Sequence, residues 1–260
     1  MADEFDELEG LNEEVNLANR GEGLTKQTLN VIFLLDCSYS MEGSRLGQLN
    51  NAMPGVLDTM KEIGEDEGVN VSLRVISFSD RPKWEYGSVE QGEDVNNIVW
   101  NDLHPIGGTD TASAIYEACK SLKKSYLGAR ALHPVVILIT DGGSNEPDKT
   151  LAAIEELKKK LAGNTGKEKV TRIAIGVEDY YEPELNAFAS VGKIVHADGV
   201  ENENVPLVFK IDKAEDLKKY INCVAASSMY SSITGAADTE GTTVELDDDV
   251  NAPADDDWVD

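Results

Sequence analysis

The 260-residue chain has 41% apolar and 28% charged residues, enough apolar material for one large α/β domain or two small ones. Its formal charge of −26 excludes a basic nucleic-acid-binding surface, and no apolar run approaches the ~20 residues that a membrane span needs. The charge is uneven: residues 1–25 hold eight acids against one base and residues 238–260 ten acids against none, so 1–25 and 236–260 read as acidic disordered tails flanking a folded domain at 26–235.

Within that domain, short β-branched runs alternate with segments of helical period. Residues 29–35 form the first predicted strand, with the unbroken apolar run Val31-Ile32-Phe33-Leu34-Leu35. It ends on Asp36-Cys37-Ser38-Tyr39-Ser40. A helix follows at 45–63, with Leu46, Leu49, Met53, Val56, Leu57 and Met60 on one face and Pro54-Gly55 in its middle. Turn chemistry at 64–68 leads to a strand at 69–78, and 81–86, which carries Pro82, suits an antiparallel edge strand. Then come a helix at 111–124, a central strand at 134–140, a helix at 148–161 and a strand at 171–177. A short helix at 182–189, a last strand at 193–197 and a closing helix at 214–228 complete the series. The order predicts an α/β fold: a doubly wound, mostly parallel sheet with one antiparallel edge strand and helices on both faces.

Open parallel sheets bind ligands at the carboxyl ends of their strands. Three loops there carry chemistry: Asp36 to Ser40, Gly107-Gly108-Thr109-Asp110-Thr111, and Thr140-Asp141-Gly142-Gly143-Ser144. Each alone reads as a turn or helix cap. Together they offer two carboxylates and three hydroxyls, hard oxygen donors suited to Mg²⁺, with Mn²⁺ not distinguished from it.

This set, DxSxS followed by a threonine and a later aspartate, resembles the von Willebrand factor A-type (VWA) domain and its metal-ion-dependent adhesion site (MIDAS) over residues 28–228. The resemblance implies a Rossmann-like fold in which Ser38, Ser40 and Thr109 ligate the metal through hydroxyls. Asp36 and Asp141 would act through coordinated water or hydrogen bonds. A cation so incompletely neutralised should capture an Asp or Glu from a protein partner. Within the family, DCSYSM, the ISF of the second strand and the TDG ending resemble bacterial cytoplasmic proteins of the tellurium-resistance TerY type. That implies a stress-response setting linked to Ser/Thr kinases and PP2C-type phosphatases. Tyr39 departs from the pattern, standing where the family commonly has Gly.

No catalytic residue is expected. A haloacid-dehalogenase-like phosphatase needs a second Asp where Ser38 stands, and a tyrosine phosphatase built on Cys37 needs an arginine where Gly43 stands. GxSxG, GxxxxGK[ST] and GxGxxG motifs are absent. His104, His133 and His196 show no ligand spacing. The alternative reading is a metal-dependent phosphatase or hydrolase. Cys37, Cys119 and Cys223 follow no disulfide or metal pattern, and the amino terminus is acidic where a secretory signal would be basic, so a cytoplasmic protein with reduced thiols is expected. A carboxylate of 247–249 or 255–257 is also a candidate intramolecular ligand for the metal, held near it by tethering.

Overall fold

Because both faces of a central strand must be apolar, the uninterrupted run at 31–35 places β1 (Thr28–Asp36) in the middle of the sheet. The computed structural model, which describes residues 26–162, 169–239 and 241–246, has it there. The chain continues through β2 (Asn70–Phe78), β3 (Pro82–Tyr86), the short β4 (Glu93–Asp94), β5 (Val135–Thr140) and β6 (Thr171–Val177). Four more strands follow: β7 (Val191–Val195), β8 (Glu201–Pro206), β9 (Val208–Ile211) and β10 (Thr243–Glu245). The main sheet has the order β3-β2-β1-β5-β6-β9, with β4 also paired to β2. β2, β1, β5, β6 and β9 run parallel, and β3 is the antiparallel edge.

The period of two along β1 sorts its side chains between two layers. Val31, Phe33 and Leu35 pack under α1 (Ser44–Asp66) and, later in the chain, α6 (Leu217–Ile233), while Ile32 and Leu34 face the opposite layer. That layer holds α2 (Thr111–Ser121), α4 (Pro147–Ala162) and α5 (Glu182–Phe188); the short α3 (Lys124–Leu127) follows α2. Pro54 does not interrupt α1. It lies on the exposed face, and the buried Ala52, Met53, Val56 and Leu57 around it hold the helix to the sheet. No helix among the described residues is long and apolar enough to cross a membrane.

Two expectations change. The strand expected at 193–197 does not close the main sheet: β7 forms a separate small sheet with β8 and β10, and β9 is the outermost strand of the main sheet on that side. β8 carried no strand signal because Glu201-Asn202-Glu203-Asn204 is exposed and polar. The domain boundary at 235 also moves. α7 (Ala236–Thr239) and β10 lie beyond it, with Val244 fully buried and Leu246 nearly so. Ser227 and Ser231, one turn apart on α6, exchange hydrogen bonds with the backbone of Glu245 and Thr243, satisfying the edge of β10 that β7 does not pair. The acidic composition had concealed the alternation of buried Thr242, Val244 and Leu246. Residues 1–25 and 247–260, including the two tail carboxylate clusters, lie outside the described residues.

Val244 is therefore a core residue. Val244→Ala should cost about 1–3 kcal/mol of stability in urea denaturation.

Candidate metal centre

Asp36, the last residue of β1, is wholly buried, and both of its oxygens are engaged. Oδ1 accepts the Ser38 N–H at 2.8 Å and Oδ2 accepts the Thr140 hydroxyl at 2.6 Å, so the carboxylate bolts the ends of β1 and β5 together. From there the hydroxyls form a chain. The Ser38 and Ser40 Oγ atoms are 2.9 Å apart, and Ser40 donates to Asp141 Oδ1 at 2.7 Å. Since the Ser40 proton goes to Asp141, Ser38 is the donor within the serine pair.

The second loop is zipped to the first by Ile106 N–H donating to the Cys37 carbonyl at 2.8 Å and Tyr39 N–H donating to the Gly107 carbonyl at 3.1 Å. Gly107 has φ +68°, and the Asp80 carboxylate occupies the space a Cβ there would need. Asp80 also accepts the Gly108 N–H at 2.7 Å. Thr109, buried between these contacts, is tied to the third loop by Asn145 N–H donating to its carbonyl at 2.9 Å. Asp110 caps α2, accepting from the Ser113 N–H.

The third loop is held from behind by the buried Glu184 of α5. Its two oxygens accept the Ser144 N–H at 3.1 Å and the Ser144 hydroxyl at 2.7 Å, and Thr150 donates to Ser144. Burial pushes the Glu184 carboxyl above its usual range, and the Ser144 hydrogen bonds oppose that shift. In front, Arg45 in the first turn of α1 donates to Asp141 Oδ2, to the Ser40 carbonyl at 3.1 Å, to Glu178 at 2.6 Å and to Asp179 at 2.7 Å.

The sequence pattern of the von Willebrand factor type A domain matches residues 30–219. The chain belongs to that family. Solved structures similar to it include proximal thread matrix protein 1 of the mussel byssus with a zinc-occupied MIDAS motif, at 19% identity and TM-score 0.52, covering 77% of this chain and 46% of that one. A von Willebrand factor type A protein from Catenulispora acidiphila aligns at 20% identity and TM-score 0.53, covering 79% and 43%. The pilus adhesin SpaC from Lactobacillus rhamnosus GG aligns at 16% and 0.55, covering 78% and 30%. The chain spans less than half the length of each, and at these identities the likeness is one of fold.

The strand-end chemistry of this VWA domain fits a hard divalent cation. Among the described residues no three His, Cys, Asp or Glu side chains gather as a metal-holding group, so a cation here must also rest on the hydroxyls. Neighbouring ligands of an octahedral Mg²⁺ with bonds of ~2.1 Å lie about 3.0 Å apart. The 2.9 Å between the Ser38 and Ser40 Oγ atoms matches that edge.

Four of the five expected site residues, Asp36, Ser38, Ser40 and Asp141, are joined by one run of hydrogen bonds, whereas Thr109 is tied by its carbonyl to Asn145 beside the third loop and not to those four. Tyr39 adopts a 3-10 turn with its side chain 62% exposed, so the missing glycine costs no backbone approach. Cys37 packs in the core beneath α1, and burial, reinforced by the charges of Asp36 and Glu85, pushes its thiol up to about 12. That removes it as a reactive thiol. Two histidines are engaged elsewhere, His133 with Asp238 and His196 with Asn202, and His104 is exposed, two residues before Ile106.

Sequence reasoning did not single out Thr140, Arg45, Asp80, Glu178, Asp179 or Glu184 as site residues. Arg45 had a detectable signal, since a cation in the first turn of a helix opposes the macrodipole and needs a compensating partner. Glu178 shows itself only in the structure, as a non-glycine residue with φ +56°.

Burial raises the Asp36 pKa from 3.8 to about 6, against the hydrogen bonds from Thr140 and Ser38, with the Asp141 charge adding to the rise. Below the lower value the carboxyl is neutral in folded and unfolded chains alike. Between the two values only the unfolded chain ionises, so stability falls as pH rises, and above the upper value the whole cost is present. In metal-free protein this group should remove about 3 kcal/mol between roughly pH 4 and pH 6. Urea denaturation of wild type and Asp36→Asn in chelator should show that difference in pH profile.

Proposed function

We propose that this VWA domain binds Mg²⁺ or Mn²⁺ at Asp36, Ser38, Ser40, Thr109 and Asp141, and through that ion captures an Asp or Glu side chain of a protein partner. The observation that carries this reading is the commitment of both aspartates to protein donors: Asp36 to Ser38 and Thr140, Asp141 to Ser40 and Arg45. Neutral hydroxyls are then the direct ligands, and the bound ion supplies an electrophile that attracts an external carboxylate.

Three exposed large apolar side chains lie on or against the site loops. Tyr39 stands between Ser38 and Ser40, Ile106 adjoins it through the loop zipper, and Tyr181 packs against Gly143. Such side chains suit a protein surface, giving apolar contact beside the charged anchor. Recognition is favoured over turnover, because the carboxylates of the centre are already engaged and His133 and His196 bond to Asp238 and Asn202 instead. The DCSYSM segment supports a finer reading in which the domain serves a cytoplasmic bacterial tellurium-resistance or stress-response system. Its partner would then be a Ser/Thr kinase or PP2C-type phosphatase.

Asp36→Ala, or Ser38→Ala with Ser40→Ala, should abolish Mg²⁺ binding in calorimetry while circular dichroism remains folded; unchanged affinity would refute the site. Partners captured by wild type should be lost with chelator or with Asp141→Ala. Turnover of a phosphate ester with Mg²⁺ or Mn²⁺ that disappears in Asp36→Ala would favour the hydrolase instead.

A further inference from the structure

Arg45 stands in the first turn of α1, where the positive end of the helix disfavours a cation. Its side chain is nonetheless only 17% exposed, and all three guanidinium nitrogens donate. Nη1 reaches Asp141 Oδ2 and the Ser40 carbonyl, Nε reaches Glu178 Oε2, and Nη2 reaches Asp179 Oδ2. One side chain thus ties the loops after β1, β5 and β6. Glu178 takes its place in this clamp in a left-handed backbone conformation, a position held by its N–H on the Ile211 carbonyl at 2.7 Å.

The consequence for Asp141 is specific. Ser40 donates to Oδ1 and Arg45 holds Oδ2, so drawing the carboxylate closer to a cation bound at the serines, or swinging Oδ2 round to it, costs the charged hydrogen bond to Arg45. Resting on the metal reading above, we propose that Arg45 is a positioning residue that holds Asp141 back from the cation and so keeps one coordination position open to a ligand from outside. Its positive charge acts in the same direction, leaving the ion less neutralised and more attractive to an external carboxylate. A purely structural tie predicts the opposite outcome: loosening the loops should weaken metal binding.

The experiment uses the full chain with Mn²⁺ as probe, following affinity by calorimetry and exchangeable water on the ion by proton relaxation, with acetate as the test carboxylate. Arg45→Gln should bind Mn²⁺ about tenfold more tightly, roughly 1.4 kcal/mol, carry fewer exchangeable waters and respond less to acetate. Arg45→Lys keeps the charge but cannot span Asp141 and Glu178 together, so it should shift the three readouts the same way by a smaller amount. If Arg45→Gln does not fold, the lysine variant decides. Weaker or unchanged Mn²⁺ binding in the folded variants, or tighter binding with no loss of water, overturns the role assigned to Arg45 and leaves the metal site standing. Absence of Mn²⁺ binding by wild type overturns both.

Discussion

Everything at the strand ends depends on one buried carboxylate. Asp36 sits at the carboxyl end of the central strand with no access to solvent, and ionising it there is unfavourable unless polar partners surround it. Thr140 and Ser38 are those partners, which couples β5 to β1 and sets the turn that presents Ser38 and Ser40. The remaining cost is visible in a pKa of about 6. A cation beside Asp36 would offset that cost, so the fold and the proposed ligand are linked: the residue that anchors the loop is the one that gains most from a positive charge nearby.

The surrounding acids extend the same problem outward. Asp141, Glu178 and Asp179 converge on a face where Asp36 is already negative, and Arg45 is the guanidinium that gathers them. Asp80 instead is held by backbone, accepting the Gly108 N–H over a glycine that leaves room for it. Two unlike devices, an arginine fork that brings three carboxylates together and a Gly-Gly turn that seats a fourth, thus compensate acids that would otherwise repel. Tyr39, Ile106 and Tyr181, all exposed, lie on or against the loops that carry the proposed site, so apolar contact is available beside the charged anchor.

Away from this face, the small β7-β8-β10 sheet shows how polar chain is accommodated. β10 is bounded on one edge by β7 and on the other by two α6 serines, which supply a donor and an acceptor each in place of another strand. Hydroxyls at one-turn spacing can do this because their rise along the helix, about 6 Å, is close to the distance between residues i and i+2 of a strand. β8, lined with Glu201 and Glu203, forms the other edge of that sheet, where charge discourages pairing with another chain.

The sequence alone determined five strands of the main sheet, β1, β2, β3, β5 and β6, and three loops. The apolar runs at 31–35, 135–139 and 173–177 read as buried strands, and the ends of the first two place Asp36 and Asp141 at one end of the sheet. Unbroken apolar runs carry that information because strands buried on both faces admit few polar side chains, Asn30, Arg74 and Arg172 being buried exceptions. Apolar patterning carries none for β8, which buries almost nothing, and little for β10, where only Val244 in the strand and its flanks Thr242 and Leu246 alternate among acids. Nor could spacing along the chain reveal that Arg45 meets Glu178 and Asp179, 133 and 134 residues away, or that Glu184 grips Ser144. Those contacts join loops from different strands, and only the tertiary packing of α1 and α5 against the sheet decides which charged groups meet.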